Sequence, residues 1–195
     1  MFKKIRIITT FITILLSIMI IIGIMFVLDG IGIIDLGGSN SVSSSSTVIT
    51  DEKIKAMYEE FKKNEDKPYI MDHSNLQYDQ CMDYYDCSSW TIHCLAHTGI
   101  KKLPDLTAQG IYDVCERVEA NDRKPGDLIF LQGTYNTSDT VTHVAIYLGQ
   151  MTIDGDSGEW IIEAASKSSG MKISKYDNGY WTGEHFYAFG RLKDD

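Results

Sequence analysis

An uncharged apolar segment near the amino terminus divides this chain into two unlike parts. No charged residue occurs from Ile7 to Leu28, and a helix of these 22 residues would be about 33 Å long, enough to cross a hydrocarbon core of about 30 Å. Three cationic side chains lie within residues 1–6, which predicts a cytoplasmic amino terminus and an exterior position for everything after the segment. The sequence therefore predicts a single-pass transmembrane signal anchor over residues 7–28.

A cleaved signal peptide is the alternative interpretation of the same segment. The apolar region of a signal peptide is usually about 7–15 residues long and ends at a small-residue cleavage pattern. The segment is longer than that, and neither an A-x-A pattern nor a lipobox cysteine lies near it. An uncleaved anchor is therefore favoured, and the sequence alone leaves cleavage open.

The composition changes again after the apolar segment. Residues 29–49 are rich in Gly and Ser, a composition that buries little apolar surface and predicts a flexible tether. Residues 50–195 are long enough for one domain. The whole chain has a net charge of -9, and the residues before Thr50 contribute +1, so this domain carries −10. Such acidity argues against a nucleic-acid partner held through its phosphates.

Apolar periodicity predicts helices followed by strands in the domain. Three helices are expected at Asp51–Lys63, Cys87–His97 and Ala108–Val118, with Asp86 and Thr107 as the N-caps of the second and third. Runs with strand patterns follow, and they are Leu128–Leu131, Val141–Leu148, Trp160–Ala165, Met171–Lys175 and His185–Leu192. Because the helices precede the strands, the expected fold class is α+β rather than a series of βαβ units.

Cys87 stands where a loop is predicted to become a helix. The first N–H groups of a helix have no intrahelical partner, and together with the macrodipole they favour an anion, so a thiolate is stabilised at this position. This is a suitable place for a nucleophile. The alternative is structural, since cysteine is among the residue types most often buried.

His143 and Glu163 lie on two of the predicted strands. Alternation along the first strand places His143 on its less uniformly apolar face, facing a cleft rather than the core. Glu163 is a single carboxylate in an apolar strand, and such a group is buried only with a partner because an isolated buried charge is costly. A hairpin through residues 154–158 would bring the strands side by side, which makes His143 the expected partner. Cys, His and a polar orienting residue in this order supply the parts of a thiol acyl-transfer site.

Four motifs in chain order carry a family resemblance. They are Asp-Cys-Ser-Ser-Trp at 86–90, Lys-Pro-Gly-Asp-Leu-Ile-Phe at 124–130, His-Val-Ala-Ile-Tyr-Leu-Gly at 143–149 and Ile-Ile-Glu-Ala at 161–164. Over about Tyr69–Arg191 the chain resembles the NlpC and p-sixty family of cell-wall cysteine peptidases. The resemblance implies a reduced papain-like fold, with N-terminal helices packed on an antiparallel β-sheet and the nucleophile at the start of a helix. In this chain the predicted transmembrane helix would precede that fold.

The resemblance also implies a reaction and its residues. Members of the family hydrolyse peptidoglycan stem peptides, typically between D-γ-glutamate and the following diamino acid. By position, Cys87 would be the nucleophile, His143 the acid–base group and Glu163 the third catalytic residue. The candidates for binding the free amine and carbonyl of an N-terminal L-Ala in the substrate are Tyr69, Asp86 and Ser88.

Some positions depart from the family's pattern. The third catalytic residue is usually His, Asn or Gln, whereas this chain has Glu163, whose charge would hold an imidazolium more strongly. The glycines that often precede the cysteine are missing after Tyr69, and Asp105 stands where members often have Arg. These departures leave the details of the substrate pocket, including the preferred diamino acid, open.

Two other functions remain compatible with the sequence. One is an amidase or another thiol acyltransferase on the same scaffold, which would cut between the lactyl group of the glycan and L-Ala. The other is an inactive tether that binds the wall, if Glu163 and Asp105 have disabled the site. Membrane-anchored relatives work in wall remodelling and in wall-spanning secretion or conjugation machinery, and nothing in the sequence chooses among these settings.

No cofactor or metal is predicted. His93 and His97 have a spacing that suits zinc, but no second pair of ligands lies near them in the sequence. The run Asp154–Gly158 resembles the start of a calcium loop but lacks the glutamate at the twelfth position, so a hairpin turn is favoured. If Cys87 stays free, one disulfide at most remains open among Cys81, Cys94 and Cys115; Cys94 and Cys115 fall at apolar helix positions and are expected to be packed thiols.

Overall fold

The computed structural model describes residues 51–71, 82–177 and 179–193. The predicted anchor over residues 7–28 and the Gly/Ser-rich linker over residues 29–49 lie outside these ranges. Within the described ranges, no helix is both long enough and apolar enough to cross a membrane.

Three helices form the first part of the described chain. Helix α1 spans Asp51–Asn64, α2 spans Cys87–His97 and α3 spans Ala108–Val114. The first two match the predicted bounds to within one residue. Acidic residues in the first turn of α1 and lysines in its last turn suit the helix dipole.

Among the described residues, six strands form a single antiparallel sheet. Their bounds are β1 Cys115–Val118, β2 Leu128–Gln132, β3 Val141–Ile153, β4 Asp156–Ser166, β5 Gly170–Lys175 and β6 Phe186–Leu192. The order across the sheet is β1-β6-β2-β3-β4-β5, and every neighbouring pair is antiparallel. The predicted α+β class is confirmed, since all connections between neighbouring strands lack the βαβ crossover.

The predicted third helix is too long. Helix α3 ends at Val114, and Cys115–Val118 form the edge strand β1, which pairs with β6 from Cys115↔Leu192 to Val118↔Phe189. Cys115 and Val118 are buried, as predicted, but from a strand. The local sequence has no helix stop signal, and the backbone partners that β6 offers outweigh its weak helix preference.

The sheet buries apolar residues on both faces. Val144 and Ile146 of β3 pack in a core with Trp90 and Leu95 of α2. The opposite face, which includes Ala145, forms a smaller cluster whose members are Val118, Ile129, Leu131, Ala145, Tyr147, Ile161, Trp181 and Phe189. The predicted alternation along β3 is therefore correct, and α2 packs against β3 and its neighbour β4.

A long hairpin joins β3 to β4. Ile153 pairs with Asp156 across a two-residue turn, and both turn residues, Asp154 and Gly155, have positive φ (51° and 82°). Positive φ at both positions is typical of the tight hairpin turns that match strand twist. The turn interpretation of this acidic run is confirmed.

Gly149 fits a bend of β3 against the loop before β2. Its φ is +77°, and a Cβ there would lie 2.5 Å from Cγ of Pro125. Asp127, two residues after Pro125, accepts two hydrogen bonds of 2.8 Å from Arg191 on β6. These contacts give the Lys-Pro-Gly-Asp motif a structural role, because they fix the start of β2 between its two neighbours.

Candidate active site

The loop-to-helix junction at Cys87 is built by a reciprocal cap. The Asp86 carboxylate accepts a hydrogen bond from the Ser89 N–H at 2.8 Å, and the Ser89 hydroxyl accepts one from the Asp86 N–H at 2.9 Å. This is a capping box, which satisfies two backbone donors at the helix start. It fixes the first turn of α2 and so holds Cys87 as the first helical residue.

Two of the predicted substrate-binding residues lie directly beside the thiol in the chain. The Ser88 hydroxyl donates to the Asp86 carboxylate at 3.0 Å, and each residue is 2 % exposed. The Asp86 carboxylate therefore already serves the helix cap. Any contact with a substrate amine would add to this network rather than replace it.

His143 lies near both of the other predicted catalytic residues. Its Nε2 lies 2.7 Å from Oε2 of Glu163, and the Cys87 side chain is close enough to interact electrostatically with its ring. Since Nε2 faces the carboxylate, Nδ1 is the nitrogen left for the thiol proton. His143 is 5 % exposed and Glu163 3 %, so the histidine is buried rather than open to a cleft.

Glu163 approaches His143 from the neighbouring strand. Ile146 of β3 is opposite Ile162 of β4, which places His143 and Glu163 on adjacent strands at the same end of the pairing. The carboxylate is almost fully buried, and the imidazole is its ion-pair partner. The predicted pairing of these two residues is correct, and it explains how an apolar strand tolerates a charge.

His143 binds its proton more tightly than an ordinary histidine does. Burial lowers the pKa of His143, but the nearby Cys87 and the hydrogen bond and charge of Glu163 outweigh it and raise the pKa from 6.5 to about 10. The imidazole is therefore the protonated form at neutral pH. A histidine close to a thiol and paired with a carboxylate is the arrangement that nucleophilic catalysis by cysteine requires.

Tyr69 lies near the thiol. Burial, followed by the neighbouring Cys87 and Asp86, raises the pKa of the Tyr69 phenol far above its ordinary value. The backbone holds it there, because an isolated bridge joins Tyr69 to Tyr85. The third predicted substrate-binding residue is thus brought to the nucleophile.

The sequence pattern did not single out two aromatic residues near the catalytic groups. Tyr135, in the loop between β2 and β3, is 44% exposed, and burial and then the proximity of Cys87 raise its pKa. Trp181 is fully buried, and its ring centroid lies 5.9 Å from that of His143. Both come from loops without periodicity, so the only available signal was the aromatic residue type itself.

A cavity of about 240 Å³ opens beside Glu163. It is lined by Glu163, Ala165, Ser166, Ser169, Lys172, Tyr180 and Trp181. Lys172 is opposite Glu163 in the pairing of β4 with β5. The cavity therefore places a cation and several hydroxyl groups next to the Glu163 carboxylate.

The other cysteines have no such surroundings. Cys94 and Cys115 are free and buried, and burial raises the pKa of Cys94 well above its ordinary value and that of Cys115 to about 12. The prediction that both are packed thiols is confirmed, although Cys115 lies on a strand rather than a helix. Cys81 lies outside the described residues.

Comparison with known proteins identifies the family of this arrangement. The sequence model of the NlpC/P60 family matches residues 67–190, which is well over half of the chain. The chain belongs to the NlpC/P60 family. The resemblance carried by the four motifs is thereby confirmed, and helix α1 precedes the matched NlpC/P60 region.

Two curated NlpC/P60 relatives are similar in sequence. The Bifunctional muramidase/DL-endopeptidase CwlT of Bacillus subtilis (strain 168) is 31% identical over 139 residues, which cover 71% of this chain and 36% of that protein. The Peptidoglycan DL-endopeptidase CwlO of Bacillus licheniformis is 31% identical over 97 residues, covering 50% of this chain and 19% of that protein. The chain thus spans well under half the length of the curated relatives it matches.

Solved structures share the fold. A crystal structure of an NLP/P60 family protein described as similar to lipoprotein, from Staphylococcus aureus subsp. aureus Mu50, is 27% identical, with a TM-score of 0.62. That match covers 79% of this chain and 46% of the other. The α+β fold with an antiparallel sheet agrees with the papain-like fold expected of the NlpC/P60 family.

Proposed function

We propose that this chain is a peptidoglycan hydrolase, a cysteine endopeptidase that cleaves stem peptides at the bond between D-γ-glutamate and the following diamino acid. Family membership and the DL-endopeptidase names of both curated relatives support this reaction. The observation that carries the proposal is His143, which lies 2.7 Å from the Glu163 carboxylate and close enough to the Cys87 thiol to interact with it electrostatically.

Each catalytic residue has a distinct task in this reaction. The Cys87 thiolate attacks the amide carbonyl, and backbone N–H groups at the start of α2 stabilise the oxyanion. The His143 imidazolium gives its proton to the leaving amine, which forms the acyl-enzyme. His143 then takes a proton from water, whose oxygen attacks the thioester and releases the carboxylic acid and the thiolate. Glu163 acts on the reaction through His143, by accepting the Nε2–H bond and keeping the ring oriented.

Substrate binding is assigned to the residues around the thiol. In this proposal Tyr69, Asp86 and Ser88 hold the free amine and carbonyl of an N-terminal L-Ala. The anionic Asp86 suits the amine, and the helix cap fixes its position. The cavity beside Glu163 supplies Lys172 as a cationic group, which suits a carboxylate of the substrate.

The setting of the reaction follows from the amino-terminal sequence. We propose that residues 7–28 anchor the chain in a bacterial cell membrane with the amino terminus in the cytoplasm. The catalytic domain would then lie outside the cell, where peptidoglycan is found. The acidity of the domain supports an anchor, because like charge opposes adhesion to an anionic wall.

The test is cleavage of purified stem peptides with a free N-terminal L-Ala, and of muropeptides that still carry the glycan, by the full chain and its Cys87→Ala variant. Loss of the thiol removes the nucleophile, so cleavage should be abolished. Cys115→Ala is the matched control, since it removes a buried thiol that lies outside the site. Mass spectrometry of the products identifies the bond, because an amidase would release intact stem peptides instead. Undiminished cleavage by Cys87→Ala would rule out this mechanism.

A further inference from the structure

A second cluster of titratable side chains lies between α1 and α2. Oε1 of Glu60 is 3.0 Å from Nε2 of His93 and 3.5 Å from Nδ1 of His97. The three ligand atoms all lie within 4.8 Å of one another. The two histidines are four residues apart on α2, so their rings stack on one face at a centroid distance of 4.1 Å.

The two separations measured from Glu60 suit a small divalent ion. Zinc binds imidazole nitrogen and carboxylate oxygen at about 2.0–2.2 Å in tetrahedral geometry, which separates neighbouring ligand atoms by about 3.4 Å. Both measured separations from Glu60 are close to that value. A carboxylate with two imidazoles is also a donor set that suits zinc and its neighbours among the transition metals.

The surroundings of Glu60 support its ligand atom. Asn64 donates to Oε1 at 3.1 Å, and Lys63 donates to Oε2 at 3.1 Å. Glu60 is 5 % exposed, whereas the side chain of His97 is 29% exposed. The carboxylate is therefore held in one orientation, and the cluster opens to solvent on the His97 side.

We propose that Glu60, His93 and His97 bind one zinc-class divalent ion, with water in the fourth position. The ion would join helix α1, which precedes the region matched by the family, to the helix that carries the nucleophile. His93 lies six residues after Cys87, about 9 Å along the helix axis. At that separation the ion holds the two helices together and takes no part in the cleavage reaction.

The test is calorimetric titration of metal-free full-length chain with zinc chloride. Every protein in this experiment carries Cys87→Ala, because Cys87 and His143 could themselves bind zinc. The parent is the chain with this substitution alone. One site per chain is expected. Loss of a supporting partner outside the ligands alone costs about 10–100-fold in affinity, so His97→Gln and Glu60→Gln should each weaken binding by at least that factor.

Matched controls separate the site from general effects. His185→Gln removes a histidine of similar exposure (32%), and Glu59→Gln removes an exposed carboxylate of α1; neither should change the affinity. Because His97 is partly exposed, its variant should fold, and thermal unfolding provides a second measurement. Zinc should raise the melting temperature of the parent and not that of His97→Gln. No binding to the parent, or binding that both ligand variants retain in full, would overturn the proposal.

Discussion

Replacement of Glu163 by Gln tests how the proposed third catalytic residue acts. Gln keeps the size of the side chain and an oxygen that can accept the hydrogen bond from Nε2 of His143, but it removes the negative charge. Since that charge contributes to the raised pKa of His143, the variant should release the imidazolium proton at lower pH. The variant should retain a reduced rate, and Glu163→Ala, which also removes the hydrogen bond, should lose more.

The size of the shift follows from the geometry. Nε2 and Oε2 are 2.7 Å apart, so the two charges are centred at about 4 Å, where their attraction is about 1 kcal/mol in water and about 4 kcal/mol at an effective dielectric constant of 20. These values correspond to about 0.7–3 pH units. Both side chains are almost fully buried, which places the expected shift in the upper part of that range.

The assay is the pH dependence of kcat/KM for muropeptide cleavage. Its alkaline limb reports loss of the proton from His143 in the free enzyme, and it should move to lower pH in Glu163→Gln. The same proton affects folding stability. Between pH 6.5 and about 10 folded His143 binds a proton that the unfolded chain has released, so stability should fall as pH rises, by at most about 1.4 kcal/mol per pH unit for one proton. Glu163→Gln should reduce this slope.

Glu159→Gln is the control for this experiment. Glu159 is a carboxylate on the same strand, but it pairs with Arg123 at 2.8 Å rather than with His143. Its removal should leave the alkaline limb in place. If Glu163→Gln and Glu163→Ala both keep a near-normal rate and an unshifted alkaline limb, Glu163 does not orient or charge the histidine.

Two further predictions concern Gly149, at the bend of β3, and Tyr69, near the Cys87 thiol. Gly149→Ala should lower the free energy of unfolding by about 1–3 kcal/mol, because alanine is strained at positive φ. The close contact of its Cβ with Pro125 should lower the free energy of unfolding further. In urea unfolding, the loss of stability should be larger than that caused by Gly155→Ala, because Gly155 has a similar φ but open space around it. Equal losses would show that the contact with Pro125 is unimportant. Tyr69→Phe removes one hydroxyl hydrogen bond, about 0.5–1.5 kcal/mol, and should raise KM about 2–12-fold with little change in kcat. A fall in kcat alone would place Tyr69 in the chemistry instead of in binding.

Local signals predicted the parts of the site that depend on short segments. The polar residue before Cys87 fixed the start of α2, because a cap acts within one turn. A lone carboxylate in an apolar strand pointed to His143, because burial requires a partner. These inferences needed only the chemistry of single positions and one hairpin.

Contacts between distant segments were beyond the same reasoning. The end of α3 at Val114 depends on pairing with β6, and nothing near Cys115 signals that partner. Glu60, the third residue of the proposed zinc site, was not found from the sequence because it lies 33 residues before His93. Tyr135 and Trp181 likewise reach the site only through the packing of loops.

One half of the catalytic site can assemble before the other. His143 and Glu163 are 20 residues apart on a hairpin closed by a two-residue turn, whereas Cys87 belongs to a helix that meets the hairpin through long-range packing. Short loops close at lower entropic cost than long ones, and local contacts form faster. We therefore expect the histidine and carboxylate to pair early, while the thiol stays unactivated until α2 docks at a late stage of folding. A chain that is still folding would then carry no activated thiol and would not cleave amide bonds.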